Sequence, residues 1–116
     1  MTKNSLLAAL WVKSRLGLDG ELVENGLSTT VGVFKCALSQ NNSLLISGPG
    51  LSDEISKDRI TNLNTLIEYL IVHGDSIVIL PRSIREARIS SLAVEYEVDP
   101  KFVKTAISDA HRIMDQ

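Results

Sequence analysis

Two histidines, His73 and His111, and a lone cysteine, Cys36, are the residues from which metal or nucleophilic chemistry would have to be assembled. The histidines are far apart in sequence, neither has a cysteine or carboxylate at the usual zinc-ligand offset, and Cys36 has no CxxC partner. No GxSxG elbow presents a serine. Gly48-Pro49-Gly50 lacks a following Lys-Ser/Thr and loses a donor N–H at Pro49, so it reads as a turn and not as a phosphate loop. No enzymatic activity, cofactor or metal is therefore expected. His73 is expected near a helix C-terminus, where the dipole favours it, and His111 on the surface or against a phosphate.

Another chemistry is open to the cations of the last third. Arg82, Arg85 and Arg88 recur every three residues, Lys101, Lys104, Thr105 and Ser108 share the outward face of one predicted helix, and Arg112 lies further along it. Guanidinium and ammonium groups contact phosphates, and lysines and hydroxyls at a helix surface reach base edges. This set suits duplex DNA. The same residues also describe an ordinary solvated helix surface, balanced by Glu86, Glu95, Glu97 and Asp109.

Positioning these side chains requires two short helices hinged between Ser91 and Met114. Leu92, Ala93 and Tyr96 share one face of a helix ending near Glu97, Val98 plugs a turn, Asp99 is a good N-cap, and Pro100 suits the first helical position. Val103, Ala106, Ile107 and Ala110 then form the inner face of a second helix. The spacing over residues 91–110 resembles the helix-turn-helix of DNA-binding regulators of bacteria, phages and plasmids, including lambda-type Cro repressors. That resemblance implies that Ala93 lets the helices cross closely and that Tyr96, Val98, Val103 and Ile107 lock their angle. It also implies that the second helix enters the major groove, and that two copies pair to reach two half-sites. One position departs from the family pattern. Where a left-handed glycine is usual, this chain has Glu97, at a cost of about 1 kcal/mol.

Residues 21–39 contain a second bihelical pattern with Gly26 at the turn. In that register the small position falls on Leu22, an apolar position on Asn25 and the branched position on Gly32, so the pattern fails.

The remaining elements form the frame. Ser5 to Leu16 reads as a helix ended by Gly17, with Trp11 as a core or dimer anchor. Asp19 caps a short helix through Val23, Asn25-Gly26 stops it, and Ser28 or Thr29 opens another through Val33, Phe34, Ala37 and Leu38. Residues 43–47 form a short strand or an extended connector. Ser52 opens a long scaffold helix closed at His73-Gly74, and residues 75–80 read as a strand able to pair with 44–47 in a two-stranded ribbon. The next helix starts at Pro81 or Ser83. The expected fold is mainly α: one domain over 1–116, with 1–80 as scaffold and dimerisation part and 81–116 as the helix-turn-helix part.

The chain's 116 residues, 44% apolar, suffice for one core of leucine, isoleucine and valine. The formal charge of −2 does not by itself advertise nucleic-acid binding. One cysteine allows no internal disulfide, the run from Leu6 to Val12 is not a signal peptide, and no stretch is long enough to span a bilayer. A cytoplasmic protein is expected. The functional expectation is a homodimeric, sequence-specific transcription regulator on double-stranded DNA, with RNA polymerase or another regulator as further candidate partners. The alternative is a helical interaction or inhibitor module that does not bind DNA.

Overall fold

The computed structural model describes residues 3–114. Helix α1 (Lys3–Leu16) is followed by five strands, β1 (Gly20–Val23), β2 (Gly26–Thr29), β3 (Gly32–Leu38), β4 (Leu44–Gly48) and β5 (Leu51–Ile55). Three helices complete the chain: α2 (Lys57–Val78), α3 (Arg82–Glu95) and α4 (Pro100–Met114). The strands form one antiparallel meander in the order β1-β2-β3-β4-β5. The expectation of a mainly α fold with a two-stranded ribbon is corrected: the architecture is a five-stranded sheet with helices packed on one face.

Local chemistry accounts for the meander. Glu24 and Asn25 join Val23 to its partner Gly26, and Asn25 takes φ 58°, a left-handed conformation asparagine tolerates. A Cβ on Gly26 would sit 2.3 Å from the Phe34 carbonyl oxygen, so glycine lets β2 and β3 approach. Asn25-Gly26 is thus a hairpin turn running into a strand, where a helix stop was expected. Pro49-Gly50, with Gly50 at φ 78°, turns β4 into β5 as a Pro-Gly turn should. Along β3, Phe34 and Cys36 are buried while Val33, Lys35 and Ala37 are exposed, the alternation of a sheet with one covered face.

Two boundaries of the long helix also differ from expectation. Asp53 and Glu54 belong to β5, and Ser56 caps α2 by accepting from the Arg59 amide at 3.4 Å. Gly74 does not end the helix. It is buried where α2 meets α4, and α2 runs on through Ile77 and Val78, so residues 75–80 make no strand and 76–80 no ribbon with 44–47.

Helix α1 is the centre of the core. Leu6, Leu7, Ala8, Ala9, Leu10 and Val12 are all buried, because α1 lies against the sheet on one side and α4 and α2 on the other. Leu27, Phe34, Leu44, Ile46 and Ile55 meet it from the sheet, Leu63, Leu66 and Leu70 from α2, and Phe102, Val103 and Ala106 from α4. Trp11 is an internal anchor: its ring centroid stands 6.0 Å from that of Phe102, and its Nε1–H donates to Asp53 Oδ2 at 2.7 Å. The apolar side chains of α1 and the stripe of α2 are thus covered within one chain.

Candidate nucleic-acid interface

Helices α3 and α4 are separate and joined by a tight turn, as the spacing predicts. The Val98 amide donates to the Ala93 carbonyl at 2.9 Å and the Glu97 amide to the Val94 carbonyl at 3.3 Å. This pair is a Schellman C-cap, whose C′ residue must be left-handed. That residue is Glu97, at φ 54°. The Asp99 carboxylate accepts from the Lys101 amide at 2.8 Å and starts α4. Ala93, Val103, Ala106 and Ala110 are buried between the helices and the body, with Tyr96, Val98 and Ile107 half-buried beside them.

The turn is also held from outside. Arg59, near the start of α2, donates from Nη2 to the Glu97 carbonyl at 2.9 Å, and its guanidinium lies 5.8 Å from the Trp11 ring centroid. Asp53, Trp11, Arg59 and Glu97 therefore connect β5, α1, α2 and the α3–α4 turn in sequence. Nothing in the local sequence marks Arg59 for this role, because its target is a main-chain oxygen 38 residues away.

The eight predicted contact residues divide. Lys101 is exposed with no side-chain partner among the described residues, and Ser108 and Lys104 are exposed on the same helix. Lys104 pairs with Glu86 of α3 at 3.1 Å, a solvent-exposed bridge of small worth. Thr105 is half-buried and its hydroxyl donates to the Lys101 carbonyl at 2.8 Å. Arg82 is exposed at the start of α3. Arg85 donates to the Val78 carbonyl at 3.3 Å, and Arg88 donates to the Tyr69 hydroxyl with its guanidinium 5.8 Å from that ring centroid, so both reach toward α2.

Arg112 is committed elsewhere. It reaches Asp19 at 2.9 Å and Asp109 at 3.3 Å, while Lys13 of α1 binds the same two carboxylates at 2.6 and 2.7 Å. Burial works to lower the Lys13 pKa, but the hydrogen bonds and charges of Asp109 and Asp19 outweigh it and raise it overall. The hydrogen bond from Lys13 is the main cause that holds Asp19 below the usual carboxylate range; burial opposes it, and the charges of Lys13 and Arg112 and the hydrogen bond from Arg112 add to the lowering. This cluster fastens α4 to α1.

His111 Nε2 donates to the Ile71 carbonyl at 2.9 Å, and the exposed His73 ring packs against Tyr69 in the last turns of α2, which ends five residues further on at Val78. Among the described residues no group of three His, Cys, Asp or Glu side chains is placed to hold a metal, and no helix is long and apolar enough to cross a membrane. Of the predicted contact residues, Lys101, Lys104 and Ser108 are exposed on α4 and Arg82 is exposed at the start of α3. Comparison with protein-family models, curated proteins and solved structures finds no match for this chain.

Proposed function

We propose that the protein is a DNA-binding regulator of transcription that sets α4 into the major groove and acts as a symmetric pair on two half-sites. The reading is carried by the α3–α4 turn, where a residue without glycine's freedom adopts the left-handed conformation that a helix-turn-helix requires. Charge distribution supports it: residues 82–114 carry six cations against five carboxylates within a chain whose formal charge is −2. Lys101 and Lys104 contact phosphates or base edges, Ser108 adds a hydroxyl, and Arg82 supplies a backbone contact from α3. Arg85, Arg88 and Arg112 orient the helices.

The test is fluorescence anisotropy on duplex DNA over a salt series, with Lys101→Ala and Lys104→Ala combined. Each phosphate contact contributes a slope of about −0.9 in log affinity against log salt, so the double variant should bind more weakly with a shallower slope. Its thermal midpoint should be nearly unchanged, because the Lys101 side chain has no partner among the described residues and the Lys104–Glu86 bridge is exposed. Equal affinity and slope in wild type and variant would refute the assignment.

A second reading, a protein-interaction module, is favoured by one observation. Val78, Ile79 and Ile84 are all exposed where α2 meets α3.

A further inference from the structure

We propose that the cleft bounded by α1, the start of α2 and the α3–α4 turn binds a small zwitterion with an apolar side group, of the α-amino-acid class. The cleft holds about 390 Å3, a size that takes small molecules. Its apolar wall is the half-buried Trp11 and Val98, backed by the buried Phe102. Trp11 and Arg15 lie one turn apart on α1, so an indole and a guanidinium share one side of the cleft, with Arg59 of α2 beside them. Glu97 and Asp99 line it from the turn.

Arg15, Arg59, Glu97 and Asp99 are all the charged residues that line the cleft, and each has bonding capacity left. Arg59 has no carboxylate partner among the described residues, and only its Nη2 is spent, on the Glu97 carbonyl. Arg15 stands 3.8 Å from Asp53 Oδ2, beyond hydrogen-bond length, and that oxygen already accepts from Trp11. The Glu97 carboxylate has no partner among the described residues, and Asp99 uses Oδ1 alone, for the Lys101 amide. Ser14, the other polar side chain in the lining, is spent on the Trp11 carbonyl at 3.0 Å. Guanidiniums on the helix side and carboxylates on the turn side call for a ligand that carries both signs. A simple anion would gain Arg15 and Arg59 but meet Glu97 and Asp99 with like charge, and a simple cation would meet the reverse. An amino acid satisfies both sides: its carboxylate suits the guanidiniums, its ammonium the two acids, and its side group the Trp11 wall. Arg82, Lys101, Lys104 and Ser108 do not line the cleft, so this site stands independently of the DNA-binding reading.

Trp11 is the chain's single tryptophan, so its emission reads occupancy of the cleft. Titration of the full chain with L-phenylalanine, L-leucine and L-methionine should give a saturable emission change, with a dissociation constant below about 1 mM for at least one of them. The deaminated and the decarboxylated forms of the tightest of the three should each bind at least about tenfold more weakly, the loss of one charge-assisted contact. Arg15→Gln and Glu97→Gln alter exposed side chains, so the circular dichroism signal should be unchanged, while each should weaken the amino acid at least about threefold. Glu97→Gln should also narrow the preference for the amino acid over its deaminated form, a change that a general loosening of the fold would not produce. The site would be overturned by any of three results: no saturable response to any of the three amino acids up to about 10 mM, truncated forms that bind as well as the intact amino acid, or variants that bind as wild type does.

Discussion

Glu97→Gly is expected to stabilise the protein by about 0.5–1 kcal/mol. Glu97 is held at φ 54°, where a residue with a Cβ is disfavoured by about 1–2 kcal/mol. Glycine removes that cost but widens the unfolded ensemble by about 0.5–1 kcal/mol, which leaves the net gain. Little else changes, because the Glu97 side chain is exposed, and the bonds that fix the turn involve the main-chain atoms of Ala93, Val94, Glu97 and Val98. The Arg59 contact also survives, since it ends on the Glu97 carbonyl. In a chain of this size the gain corresponds to a rise of about 2–6 °C in Tm. The assay is urea and thermal unfolding followed by circular dichroism, with Glu97→Ala as the control that removes the carboxylate and keeps the Cβ. A glycine variant no more stable than the alanine variant would show that the turn stores no backbone cost, and the account of the α3–α4 junction would fail.

Gly74→Ala should also stabilise, by about 0.5–1 kcal/mol in urea unfolding. Gly74 lies inside α2, and an added Cβ would meet Ile107 Cγ2 at 3.8 Å, an ordinary contact. Phe34→Ala should cost about 3–5 kcal/mol, since the ring is 1% exposed beneath α1, and the denaturant midpoint would show it. Asp19 is held low, so its contribution is present above the ordinary carboxylate pKa and lost as pH falls below about 4. Lys13 is raised, so its contribution is present below about 10.5 and lost as pH rises through its folded value. Urea midpoints against pH should therefore form a plateau that falls at both ends, and Asp19→Asn should flatten the acid limb. Burial raises the Cys36 pKa, so a thiol reagent at neutral pH should label it slowly in the native protein and rapidly in urea.

The parts of the fold legible in the sequence are those whose signals are local. The apolar run of α1 ended by Gly17, the Gly48-Pro49-Gly50 turn, and the Asp99-Pro100 start of α4 each act within a few residues of where they are read. The sheet escaped because its strands are short enough for two periods to coincide. Val33, Phe34, Ala37 and Leu38 fit a helical stripe, and the same segment alternates as β3; only pairing with β2 and β4 decides between them. Leu51 and Ile55 are four apart, which is one face of a helix and one face of a strand alike. At the site, the outward placement of Lys101, Lys104 and Ser108 followed from helical geometry. The capture of Arg112 by Asp19, Arg88 by Tyr69 and Arg85 by the Val78 carbonyl depends on how distant elements pack, which no short window contains.

The placement of α1 has a consequence for the order of assembly. The meander joins only strands that follow one another, so its hairpins can close as they are made. Helix α1, apolar on nearly every side, packs most extensively on α4, which is synthesised almost a hundred residues later. Until α4 leaves the ribosome, one flank of α1 has nothing to cover it. The nascent chain thus carries a sticky intermediate through most of its translation, and a chain cut short before Pro100 should be a substrate for chaperones and proteases instead of a stable fragment.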